Sequence, residues 1–203
     1  MNKYGHRTMN WFEAIVNKIG GEEAADAFLR GELVVSRPTR VWKTWMTIKL
    51  GTGLKTADDF CKALTADGYF IGNWSEDILG KPAFKVSKTE QEVELIEVSV
   101  RELGFKENTC YEDIRKRASE FGLDLCPAEV GPQLRLQYKD QSKGIEVVVA
   151  MNAITSSDGD PRTFSVSRNN VGDQYLDAIY SYDDIIWSID DLFVFMRRKI
   201  TQN

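Results

Sequence analysis

Val93-Glu94-Leu95-Ile96-Glu97-Val98-Ser99-Val100 reads as a buried strand, because apolar side chains occupy both alternating sets of positions. A helix follows over 111–121, where Thr109 stands as cap, Glu112 takes the capping-box position and Gly122 is the stop. Leu123, Leu125 and Pro127 lead into a second helix that runs toward Leu136 and is shortened or broken by Gly131 and Pro132. After Lys143-Gly144 the chain reads as strands over 145–151, 164–167, 175–180 and 192–196, separated by turns at 156–161 and 169–173. The predicted class is α+β: strand, two helices, then antiparallel strands.

Working back toward the N-terminus, Asn10 caps a helix from Trp11, with Trp11, Ile15 and Ile19 at helical spacing before Gly20-Gly21. Glu22 and Glu23 open a second helix that Gly31 ends, which makes 10–31 a helical hairpin. The stretch 41–50 alternates as a strand does, and 58–66 is an amphipathic helix with Phe60, Cys61 and Leu64 inward. The segment 72–82 is a turn-rich link in which Ser75-Glu76-Asp77 starts one helical turn. We therefore expect two parts, a small mixed helical and strand module over 1–88 and a second domain over 89–203.

Composition narrows the function classes. The chain has 203 residues, 42% hydrophobic and 28% charged, enough to bury a core without staples. Three cysteines, Cys61, Cys110 and Cys126, are too few and too scattered for a disulfide framework or a zinc site. With no apolar run behind Lys3, His6 and Arg7 and no transmembrane stretch, a cytoplasmic protein without a membrane partner is expected. His6 is the single histidine, which argues against a Ser-His or Cys-His catalytic pair and against a histidine metal site. Gly51-Thr52-Gly53-Leu54-Lys55 lacks the spacing of a phosphate loop. Asp158-Gly159-Asp160 is followed at once by Pro161, unlike a calcium loop. No catalytic residue, metal or cofactor is assigned.

Charge is uneven: residues 1–88 carry 13 basic and 10 acidic side chains, whereas 89–203 carry 13 and 21. A nucleic-acid partner is therefore not expected for the second half, since phosphates are met by Lys and Arg. Six of the 16 aspartates fall between Asp173 and Asp191, a span with no Lys or Arg. The window 175–195 also lacks Glu, Gln, Met, Gly and Pro, and every residue in it except Trp187 is reachable from an asparagine codon by changing only its two adenines.

Three features together carry a resemblance: the segment 158–168, the pair Leu176 and Trp187, and the ending Asp191-Leu192-Phe193-Val194-Phe195-Met196-Arg197-Arg198-Lys199. They resemble the C-terminal part of bacterial variable proteins of diversity-generating retroelements, in which a template repeat is copied with adenine-specific errors into the C-terminal coding region. Tyr175 stands where that family has its first Trp. The resemblance implies a C-type-lectin-like fold over 89–203 with a variable face at 175–192. Leu176, Trp187, Phe193 and Phe195 would lock the backbone, while Asp177, Ile179, Tyr180, Tyr182, Asp183, Asp184, Ile185, Ile186, Ser188, Ile189 and Asp190 would be displayed to an unknown protein ligand. The Arg-Gly-Gly-Ser-Trp motif of the fold's enzyme branch and the Glu-Pro-Asn motif of calcium lectins are absent, so neither catalysis nor sugar binding is implied. The expectation is a non-enzymatic binding protein. The alternative is a nucleic-acid-associated or regulatory protein of a mobile element, using Arg37, Arg40, Lys43, Lys49 and Lys55 with Trp42 and Trp45.

Overall fold

The computed structural model describes residues 9–34 and 40–198 and divides the chain into two compact units between Thr39 and Arg40. His6, Arg37 and Lys199 lie outside the described residues. The first unit holds the expected hairpin, α1 (Met9–Ile19) and α2 (Glu22–Leu29), and neither helix contains a buried residue.

In the second unit the elements run β1 (Met46–Leu50), α3 (Ala57–Ala66), β2 (Phe70–Ile71), α4 (Asn73–Leu79), β3 (Gln91–Ser99), β4 (Thr109–Cys110), α5 (Tyr111–Glu120) and β5 (Leu123–Asp124). They continue with α6 (Val130–Gln137), β6 (Ile145–Val149), β7 (Ile154–Thr155), β8 (Pro161–Arg168), β9 (Gln174–Tyr180), β10 (Ile186–Trp187) and β11 (Leu192–Arg197). One large mixed sheet has the order β1-β3-β11-β6-β8-β9-β2, with β5 added beside β11 and β7 beside β8. Its pairs are antiparallel except β11 with β6 and β2 with β9. The expected α+β class is what the structure shows, with strand, helix, second helix and strands in the expected order.

Period-2 alternation sends successive side chains of the central strands into two different cores. On one face Leu95, Val147, Val149, Phe164, Val166, Leu176 and Val194 pack with Phe60 and Leu64 of α3, Ile78 of α4 and Leu134 of α6. On the other, Ile96, Val98, Val148, Phe193 and Phe195 pack with Tyr111, Ile114 and Ala118 of α5. Burial on both faces is why β6 and β11 carry consecutive apolar residues and why β3 sets Leu95 and Ile96 side by side. Gly131 admits one of the closest contacts, because a Cβ there would stand 2.5 Å from the Phe164 ring. Pro132 falls in the first turn of α6, where its missing N–H costs nothing.

The boundary expected between residues 88 and 89 falls inside the second unit. β1 pairs with β3 from Met46 opposite Leu95 to Leu50 opposite Gln91, and the buried Glu129 carboxylate accepts from the amides of Gly51 and Ser87, each at 2.7 Å. Residues 40–88 therefore complete one face of the main sheet and form no module of their own. The exposed edge of β1 is capped by Gln137, which accepts from Lys49 N and donates to Lys49 O, each at 2.9 Å, in the manner of another strand.

Two local expectations also shift. The strand expected over 41–50 forms only as β1, and the turn expected at 75–77 is the longer helix α4. Thr109 does not cap α5. It pairs with Trp187 in the β4–β10 ribbon, Cys110 takes the cap position without a side-chain bond, and carbonyls of a distant loop satisfy the first amides of the helix.

Candidate binding face

β9 ends at Tyr180, and residues 181–191 then cross the N-terminus of α5 before β11 begins. An α-helix leaves its first four amides without internal partners, and this loop supplies two of them. Tyr111 N donates to Ile185 O at 3.0 Å and Glu112 N to Asp183 O at 3.1 Å. Farther along, Arg101 N donates to Ile189 O at 2.8 Å and Val100 N to Asp191 O at 3.2 Å, while Ser181 N donates to Pro161 O at 2.9 Å. All five bonds run main chain to main chain, so they hold the loop whatever side chains it carries.

The side chains expected as anchors divide between the two cores, Leu176 on the α3 and α4 side and Trp187, Phe193 and Phe195 on the α5 side. Leu176 and Phe193 are fully buried, Phe195 nearly so, and Trp187 is half-buried with its ring edge-to-face on Phe193 at 4.9 Å. The Trp187 indole N–H is enclosed without a protein acceptor, as is the hydroxyl of Ser181. Burial pushes the neighbouring Tyr111 hydroxyl up to about 12, so it stays protonated.

Of the residues expected on display, Tyr180, Tyr182, Asp183, Asp184, Ile186 and Asp190 are exposed. Asp177, Ile179, Ile185, Ser188 and Ile189 are half-buried, and Ile179 and Ile189 pack against the α5-side core. The sheet register also splits the set: Tyr180 lies opposite Arg162 on one face of β8, whereas Asp177 lies opposite Ser165 on the other.

Around Tyr180 the structure brings together residues that sequence reasoning did not connect with the window. The Arg162 guanidinium lies between Trp74 of α4, 4.1 Å from the ring centroid, and Tyr180, at 4.3 Å. Tyr182 continues the row by stacking on Tyr180 at 6.3 Å and donating to Asp160 at 2.6 Å. Although almost wholly buried, Arg162 is matched by Asp158 at 2.7 Å, and its Nε donates to Ser156 Oγ at 2.9 Å. Hydrogen bonds from Ser156 and then Arg162 hold the Asp158 carboxyl down to about 2. The row Trp74, Arg162, Tyr180, Tyr182 is thus an exposed aromatic surface with a buried charged support. The Trp74–Arg162 contact joins residues 88 apart in the chain, and no local pattern announces it.

Asp158 and Asp160, weighed as calcium ligands, spend their oxygens on Ser156, Arg162 and Tyr182. No group of three or more His, Cys, Asp or Glu among the described residues is placed to hold a metal ion, and no helix among them is long and apolar enough to cross a membrane. The tryptophans of the basic segment are engaged: Trp42 is buried with its N–H on Phe121 O at 3.3 Å, and Trp45 meets Tyr138 edge-to-face at 4.8 Å. Lys49 pairs with Glu90, and the Arg40 guanidinium covers the Trp42 ring. In comparisons with known proteins, no family model, curated protein or solved structure matches the chain.

Proposed function

We propose that the chain is a non-enzymatic binding protein whose face at 175–192, on a C-type-lectin-like framework, displays side chains diversified by a retroelement. What supports this most is the division of labour in the loop 181–191. Backbone bonds to Tyr111, Glu112, Val100, Arg101 and Pro161 hold its path, while the side chains of Tyr182, Asp183, Asp184, Ile186 and Asp190 are exposed, Asp183 and Asp190 in ion pairs with Arg115 and Arg101. Such a loop tolerates exchange of what it displays. Tyr and Trp bring large contact area at low entropic cost, and the row of Trp74, Tyr180 and Tyr182 is already held in place by Arg162, so a protein ligand meets a rigid aromatic patch with an acidic border. The DNA around the coding region tests the proposal. A near-copy of the segment for residues 175–195 that differs only at adenines and lies beside a reverse transcriptase is expected, and its absence overturns the diversified reading.

A further inference from the structure

Asp177 belongs to the acidic window but faces away from the displayed row. Directly opposed residues in a ladder share a face, so Glu146, Ser165, Ser167, Tyr175 and Asp177 stand together on the side of β8 and β9 remote from Tyr180. An open groove of about 410 Å³ lies there, with Glu146, Ser167, Asn169, Tyr175 and Asp177 in its walls.

The groups in this groove are arranged and under-used. Asp177 is half-buried and accepts one long hydrogen bond, 3.3 Å from Ser167 Oγ. Gly72 makes room for its other oxygen, since a Cβ at that position would come within 2.6 Å of Oδ1. Glu146 is exposed and steadied at 2.7 Å by the buried hydroxyl of Ser165. Tyr175 stacks on the exposed Phe70 ring at 5.1 Å, and Asn169 Nδ2 donates to its hydroxyl at 3.3 Å. The one cation in the lining, Arg168, is turned onto the carbonyls of Gly172 and Gln141.

We propose that this groove is a binding site for an organic cation, an amine or guanidinium whose N–H groups meet Asp177 and Glu146 and whose carbon skeleton lies along Tyr175. Ionised carboxylates only accept, and a guanidinium or ammonium supplies charged donors in return. The two carboxylates rise from strands on either side of β8, Glu146 opposite Ser167 and Asp177 opposite Ser165, about 12 Å apart at the backbone, which suits an extended cation better than one metal ion. A half-desolvated carboxylate is relieved by opposite charge, which a neutral polyol does not bring. Burial already raises the Asp177 carboxyl above its ordinary value, consistent with a charge waiting for a partner.

Isothermal titration of the full chain with L-argininamide tests this, with methyl glucoside as the neutral probe. Saturable one-to-one binding at millimolar or lower concentration is expected for argininamide alone, weakened about tenfold or more by Asp177→Asn and by Glu146→Gln. Both variants should melt cooperatively, because Glu146 is exposed and Asp177→Asn removes a poorly solvated charge. Absence of saturable binding, equal binding of methyl glucoside, or undiminished binding by both folded variants overturns the proposal. A variant altered at Tyr182, Asp183, Asp184, Ile186 and Asp190 should bind argininamide unchanged, which separates this site from the displayed face.

Discussion

Arg162 shows how one side chain organises a surface. Its charge is buried, yet Asp158 and Ser156 satisfy it on one side and two aromatic rings enclose it on the others. Replacing it with Ala should lower the melting temperature and change the near-ultraviolet circular dichroism of Trp74 and Tyr180, since the two rings lose their spacer. Asp158 and Asp177 should then titrate with opposite effects on stability. The folded Asp158 carboxyl is depressed to about 2, so its contribution is present above the unfolded aspartate range and lost as pH falls toward 2, and Asp158→Asn should flatten that part of a melting-temperature profile. Asp177 is raised by burial, so its contribution is largest at low pH and lost as pH rises through its folded value. Asp177→Asn should leave the melting temperature unchanged or raise it at neutral pH, as scanning calorimetry would show. None of these roles is legible in the sequence, where Asp158 and Asp160 read as turn residues and Arg162 falls between the expected turn and the expected strand at 164–167.

At the scale of elements, the loop 181–191 and the strands beneath it divide in their tolerance of change. Replacement of Asp184 and Ile186 by Ser or Asn should cost about 0.5 kcal/mol or less per site in chemical denaturation, as exposed positions do, and replacement of Tyr182, Asp183 and Asp190 somewhat more, because they pair with Asp160, Arg115 and Arg101. Leu176→Ala or Phe193→Ala, at fully buried anchors, should cost about 2–5 kcal/mol by the same measurement. The resemblance implied Leu176, Trp187, Phe193 and Phe195 as anchors, and the structure buries the first, third and fourth and half-buries Trp187. The sequence misplaced the cap of α5, because Thr109 has the right chemistry but the helix amides are claimed by carbonyls 71 or more residues away in the chain. The second helix was expected to be weak at Gly131 and Pro132, and the structure instead uses both: the glycine for contact with Phe164, the proline for a first turn. Gly131→Ala should therefore destabilise by about 1–3 kcal/mol, although Ala is the better helix former.

For the whole molecule, the division between Thr39 and Arg40 replaces the one expected at residue 88. A chain starting at Arg40 should unfold in one cooperative transition, whereas one starting at residue 89 lacks β1, α3 and α4 and should fail to fold, as circular dichroism melting would show. Composition alone could not place that boundary. The link around 72–82 has the turn residues of a domain junction, but α4 inside it packs along β9, with Ser75 Oγ donating to Leu176 O at 2.9 Å.

The sequence by itself determined the class of the protein and the order of most of its elements, because hydrophobic period, turn residues and helix stops act over a few neighbouring positions. It also located the acidic window. Tertiary structure alone decided which elements share a core, which face of β8 and β9 each polar side chain occupies, and how Trp74, Arg162 and Tyr180 meet. Those outcomes depend on strand order and on contacts between residues 18 and 88 positions apart, where burial and ladder pairing act and local propensity carries no information.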